Sequence, residues 1–278
     1  MMTSHNMIDD VVSCMLTFVV VPSDPHFNRW RQAKHDSFHG ECDLVLLRSE
    51  QFHDKTGVDV HVRTTMMEND FSFSYVESSA VKVGDTILEF HPKFFRVNGE
   101  DYDYDAVPSF EFEERGRTYK ISSVMTSATK RETTLQLDDQ TSIKIRSTKN
   151  LMYVNFEGSK AAFYDSVGML GNYTTGDMYG RDGALFEQDF LHYGFEWQVD
   201  PLKNDPILFK ENRAPQLPYE KCRLPIEAPV TSRRRLRSEN SAMRDQAIEA
   251  CQNAKTDFEL CVDDVMATNN VEAAEMFL

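Results

Sequence analysis

The chain has no C-x-x-C pair, no apolar run long enough to cross a membrane as a helix, and no surplus of basic residues. Each absence removes a class of function. A spanning helix needs about 20 apolar residues, and the most apolar stretch, Val11 to Pro22 (VVSCMLTFVVVP), falls short of that. It follows Asp9 and Asp10 instead of a basic start and has no small-residue cleavage site, so it reads as a buried strand, not a secretory leader. Without C-x-x-C, zinc-ribbon and thioredoxin-like readings have no support. The formal net charge is -15. A broad nucleic-acid surface is therefore not expected, because a polyphosphate needs a concentrated positive field. No serine elbow, phosphate-cradling loop or paired catalytic carboxylates stand in a persuasive context, and the expectation is a protein that is not an enzyme. No internal repeat is visible.

What is present belongs to a folded protein. Hydrophobic residues make up 41% and aromatics 11% of the 278 residues, enough for a full core. From about residue 11 to 156 the pattern is of short strands separated by turn signals. Val58, Val60 and Val62 alternate with Asp59, His61 and Arg63, and Phe71, Phe73 and Tyr75 alternate with serines, as half-buried strands do. Further strands are expected at 43–48, 86–90, 93–97, 117–124, 133–138, 142–146 and 151–156. Asn98-Gly99 and Asp138-Asp139-Gln140 stand where hairpins need turns. Such a series predicts an antiparallel β-sandwich. Asp101, Asp103 and Asp105, alternating with Tyr102 and Tyr104, read as a solvated acidic turn or a weak cation patch.

Beyond residue 165 the character changes. Residues 165–199 are glycine-rich and irregular and end in Phe195-Glu196-Trp197, read as an aromatic strand. Residues 200–237 carry repeated prolines and a basic run, Arg233-Arg234-Arg235-Leu236-Arg237, and read as a linker. Residues 238–278 read as a small helical unit. Phe258, Cys261, Val262 and Val265 share one helix face, Thr256 with Glu259 forms a capping box, and an earlier helix covers Met243 to Cys251. A Cys251–Cys261 bridge would staple the two adjacent helices. The five cysteines, Cys14, Cys42, Cys222, Cys251 and Cys261, permit two disulfides and one free or intermolecular thiol, which leaves self-association open.

Two stretches carry a family resemblance. Ser23-Asp24-Pro25-His26-Phe27, followed by Phe38-His39-Gly40-Glu41-Cys42-Asp43-Leu44, resembles the opening of the von Willebrand factor type D domain, where a G-D-P-H turn leads into an aromatic-x-G-x-C strand. Gly168-Met169-Leu170-Gly171-Asn172-Tyr173, followed by Phe195-Glu196-Trp197, is similar to that family's G-L-C-G-N loop and closing tryptophan strand. The resemblance covers residues 13–199. The family's first disulfide is missing at both ends, since valines (Val19, Val20 or Val21) and Leu170 occupy its positions. The second implied bridge maps to Cys42 and Cys222. The tail around Cys251 and Cys261 vaguely resembles the cysteine module that often follows such domains.

The resemblance implies a mainly β, antiparallel sandwich with a helical tail, an extracellular or secreted location, and a calcium ion. Asp24 and Asn172 match the family's ligands, Thr174 replaces a second Asn or Asp, and Asp177 and Asp182 are the available carboxylates. Such oxygen donors suit calcium. The plainer reading is that Asp24 and Asn172 only close tight turns. Asn172-Tyr173-Thr174 is also the one N-x-S/T sequon in the chain. A glycan there excludes ligation by the same side chain, and ligation is preferred. The expected function is a structural or adhesive matrix module acting on proteins or glycans. The alternatives are a self-cleaving or hydrolytic secreted domain using the Asp24-Pro25-His26 turn, and a lipid- or glycan-binding sandwich. His26, His35 and His39 are read as turn or surface histidines, not metal ligands.

Overall fold

The computed structural model describes residues 26–32, 36–67, 70–149, 151–158, 160–211, 222–224 and 241–254, with further described positions between 258 and 277. The expected strand at Val11 to Pro22, Asp24-Pro25, Cys14, His35 and the basic run at 233–237 lie outside these residues, as do Thr256 and Glu259 of the expected capping box.

The protein is mainly β, with three antiparallel sheets and small helices toward the C-terminus. Strands β1 (His26–Phe27) and β2 (Asp36–Ser37) pair as a small ribbon. Strands β3 (Asp43–Ser49), β4 (Val58–Met67), β5 (Asp70–Val83), β6 (Thr86–Phe90), β7 (Phe94–Val97) and β8 (Glu100–Asp103) form a six-stranded meander in chain order. Strands β9 (Ser109–Glu114), β10 (Arg117–Met125), β11 (Lys130–Gln136), β12 (Ser142–Thr148) and β13 (Leu151–Glu157) form a five-stranded one. Because side chains alternate across a strand, Phe110, Ile121, Leu135, Ile143 and Phe156 line up across one face of the five-stranded sheet. They join Val62, Val81, Leu88, Phe90 and Phe95 of the other sheet in a single core. Phe95 meets Phe110 edge-on, with ring centroids 6.0 Å apart.

The Asn98-Gly99 turn forms with φ of 49° and 85°, the left-handed pair that a two-residue hairpin favours. Asp101 and Asp103 lie on β8 rather than in a turn. Arg96 holds Asp101 at 2.5 Å, and Tyr104 just beyond the strand is buried. The strand expected at Phe195-Glu196-Trp197 is instead the end of a helix, Phe190–Glu196, because the Asp189 side chain caps its start by accepting from the His192 N–H. Only after the helix does the chain extend along β3, where Trp197 O accepts from Val45 N and Val199 N donates to Asp43 O.

The stretch 200–237, read as a linker, begins as a packed strap. Residues 205–211 cross the six-stranded sheet, burying Leu208 and Phe209 against Ala80 with Ile87 packed beside them. Arg63 lies over the Phe209 ring at 4.2 Å while gripping Asp43 with two hydrogen bonds. Further along, Cys222 is bonded to Cys42, with Cα atoms 5.0 Å apart. Arg223 pairs with Glu41 beside that bridge. In the tail, Cys251 is bonded to Cys261. Cys261, Val262 and Val265 are buried with Ala247 in a small separate core, and Phe258 packs at its edge.

Candidate functional site

The residues that follow the first sequence motif dock directly on the second. Trp30 N donates to Leu170 O at 3.1 Å, Arg29 Nη1 to Gly176 O at 3.0 Å and Arg31 Nε to Tyr173 O at 3.0 Å. Trp30 is buried, with its ring 4.7 Å from Tyr173 and stacked 5.8 Å from Phe163. Fully burying one large side chain contributes about 1.5–3 kcal/mol, which makes Trp30 the main anchor of this junction. No motif pointed to it, because a single tryptophan in a polar stretch has no spacing to read. Gly176 has φ of 78°, and a Cβ there would collide with the Trp30 carbonyl, so the close approach requires glycine.

The loop 171–177 is closed by its own residues. Asn172 Oδ1 accepts from Thr174 N at 2.9 Å and Thr175 N at 3.1 Å. Asn172 N donates to Asp177 O, and Gly176 N to Asn172 O. Gly171, at φ of 73°, has no room for a Cβ beside the Asp177 carbonyl. Thr174 Oγ1 donates to Tyr164 O at 3.4 Å, and Asp177 is exposed. Asn172, Thr174 and Asp177 therefore share one loop. Asp182 sits on the next turn, between the bridged residues Tyr179 and Leu185, where its Oδ1 accepts from Ala184 N. Asp24 lies outside the described residues. His26, which follows it closely, is buried with Nδ1 3.0 Å from Ser37 Oγ.

These donors can be weighed against calcium, which takes six to eight oxygens. The Asp177 carboxylate and the Thr174 hydroxyl are of the right type and on one loop. The Asn172 carbonyl oxygen, however, already has a hydrogen-bond donor for each lone pair. The Tyr173 and Gly176 carbonyls accept from Arg31 and Arg29, whose positive charges oppose a cation. Arg29 is in turn neutralised by Asp36 at 2.6 Å. Among the described residues no three histidine, cysteine, aspartate or glutamate side chains converge as a metal centre, and of the expected ligands on this loop only the Asp177 carboxylate and the Thr174 hydroxyl are left, with Asn172 shaping the turn.

Behind the loop, charged groups act as ties. Arg181 donates to Glu196 O, Gln198 O and Asp205 Oδ1, at 2.7, 3.0 and 2.6 Å, and lies over the Trp197 ring at 4.7 Å. Arg48 of β3 reaches the same Asp205 oxygen at 2.9 Å and Asp59 of β4 at 2.7 Å. His61 Nε2 lies 3.0 Å from the other Asp59 oxygen. Burial pushes the Asp205 carboxyl up, but Arg181, the Asp200 N–H and Arg48 together hold it below the ordinary range. Asp59 behaves alike: burial raises it, and His61 and Arg48 outweigh that. Paired and buried in this way, the carboxylates serve architecture. They tie the strap, the 179–198 segment and two strands of the sheet together.

No family model matches the chain, and no curated protein matches it.

Proposed function

We propose that the protein is a non-enzymatic structural or adhesive module of the extracellular matrix type, built on a sandwich similar to the von Willebrand factor type D domain and stabilised by calcium. The docking of residues 26–32 on the loop 171–177 carries this reading. Two stretches far apart in sequence, each weak alone as a signal, form one junction through Trp30, Arg29 and Arg31. Calcium at that junction would be held by Asp177 and Thr174, with Asp24 supplied from the segment that leads into β1. Its chemistry there is electrostatic: a divalent charge crosslinking loop oxygens and offsetting the repulsion between carboxylates. The Cys42–Cys222 bridge supports an oxidising, extracellular setting, since disulfides persist there. No described helix is long and apolar enough to cross a membrane.

Contact with proteins or glycans is the action proposed for the module, with the ion and the disulfides holding its shape. Thermal melting of the intact chain with calcium and with a chelator tests it. A melting temperature that falls on chelation, with no fragment released, supports the reading. A discrete fragment beginning at Pro25 would replace it with self-cleavage.

A further inference from the structure

The geometry points to a second site, a saccharide-binding cleft lined by His53, Asp54, Lys55, Arg117, Asp138 and Tyr164, which takes a neutral, hydroxyl-rich sugar. It rests on the reading of the chain as a contact module and names one ligand class and one place.

The cleft has a volume of about 560 Å³. That is within the roughly 300–1,000 Å³ range of small-molecule sites. One wall is a strained turn. His53, Asp54 and Lys55 have φ of 45°, 56° and 71°, three consecutive left-handed residues with no glycine among them. In that conformation the Cβ of an L-residue crowds the following carbonyl, so each of the three is unfavourable by itself. The turn persists because the surroundings enforce it. Phe52 is buried and stacked on Phe163, the Thr56 hydroxyl donates to His53 O at 2.8 Å, and Arg115 donates to Lys55 O at 2.7 Å. Strain held in this way clusters at ligand clamps.

Two of the lining side chains, His53 and Asp138, are held by contacts made on folding. His53 stacks on Phe52, with Nδ1 3.0 Å from the Tyr119 hydroxyl and Nε2 2.9 Å from Asp138 Oδ2. The second Asp138 oxygen accepts from Gln140 N at 2.8 Å. Arg117 donates to Asp54 at 3.0 Å. At the edge stands Tyr164, 48% exposed, a large ring left open to solvent.

Charge selects the ligand class. Two carboxylates, Asp54 and Asp138, and two cations, Lys55 and Arg117, line the cleft together, so neither a phosphate nor a metal ion meets a site of one sign. Sugar hydroxyls both donate and accept, and can join the carboxylates and the cations at once. The C–H face of a pyranose suits the open ring of Tyr164. Because the turn and the His53–Asp138 pair are ordered by folding, little ordering cost falls on binding.

The test is saturation-transfer NMR with the methyl glycosides of glucose, galactose, mannose and N-acetylglucosamine, and a sulfated heparin disaccharide as the charged control. It is run on the full chain, once in calcium and once in chelator, because Thr174 of the calcium loop touches the Tyr164 carbonyl. Transfer to at least one neutral glycoside is expected. Tyr164→Ala and Asp54→Gly, the latter compatible with the left-handed backbone, should each weaken it about tenfold or more, the loss of one charged hydrogen bond or stacking contact. The melting temperature of Tyr164→Ala should remain that of the parent, and that of Asp54→Gly should not fall below it, since glycine relieves the left-handed strain. No transfer to any neutral glycoside, transfer only to the sulfated sugar, or unchanged transfer in both variants would overturn the proposal. Failure of the sugar with calcium binding intact removes this cleft alone. Loss of the calcium response with transfer intact removes the metal and leaves the cleft.

Discussion

Arg181 and Arg48 donate to the same oxygen of Asp205, at 2.6 and 2.9 Å, although one comes from an irregular loop and the other from the strand β3. The Asp205 side chain is wholly buried, so the three groups form a single peg. Removing the carboxylate leaves the largely buried Arg181 guanidinium with carbonyl acceptors only, while Arg48 keeps Asp59. Breaking a buried pair from one side costs about 3–5 kcal/mol. Asp205→Ala should therefore lower stability by about that amount in urea unfolding. A loss below about 1 kcal/mol, the size of an exposed pair, would show that the peg is solvated.

The disulfide between Cys42 and Cys222 closes a separation of 180 residues. In the chain-entropy model a loop of that length is worth about 5 kcal/mol. The Cys42→Ser, Cys222→Ser double variant should lose a large part of that in equilibrium unfolding. The Cys251–Cys261 bridge, with a separation of 10, should contribute less when removed in the same way.

Acid should weaken the fold through Asp59 and Asp205. Both carboxyls are held below their ordinary values by arginine and histidine partners, against the opposing effect of burial. A depressed folded pKa gives stability that is fully present above the unfolded value, about 3.9 for Asp, and is lost as pH falls through the folded value. Melting temperature should be insensitive to these groups above about pH 5 and should fall below about pH 4. In Asp205→Asn the acid fall should be shallower.

Asn172 separates turn from ligand. Its Oδ1 accepts two backbone N–H groups, so Asn172→Ala should cost about 1 kcal/mol or more even in chelator, where no ion is present. A variant that melts like the parent in chelator, and lower only in calcium, would make Asn172 a ligand instead.

Much of the sandwich was legible because alternation survives in the strands. Val58, Val60 and Val62 lie on β4 and 86–90 matches β6 in full, but the expected half-buried strand is buried on both faces, since Asp59, His61 and Arg63 are covered too and held by Arg48 and Asp43. β8 and β9 escaped because acids fill their exposed positions: Asp101 and Asp103 looked like a turn, and Glu111 and Glu113 masked the alternating Phe110 and Phe112. The helix before Trp197 was hidden by its aromatic content, and its one local signal was the Asp189 cap. Prolines in 200–237 concealed the strap, whose order comes from Leu208, Phe209 and Arg63, contacts that only the fold brings together. The motifs at 168–173 and around His26 pointed to the junction, but not to Trp30, which anchors it. The turn at His53 had no glycine to announce it.

Calcium calorimetry on the full chain, with Asp177→Ala and Asp24→Ala beside the parent, tests the central claim most directly. Saturable heat is predicted for the parent, reduced in both variants. Calcium at about a hundredfold over its Kd should then stabilise the parent by about 2.7 kcal/mol. No heat from the parent, and the same melting temperature in calcium and in chelator, would contradict the claim.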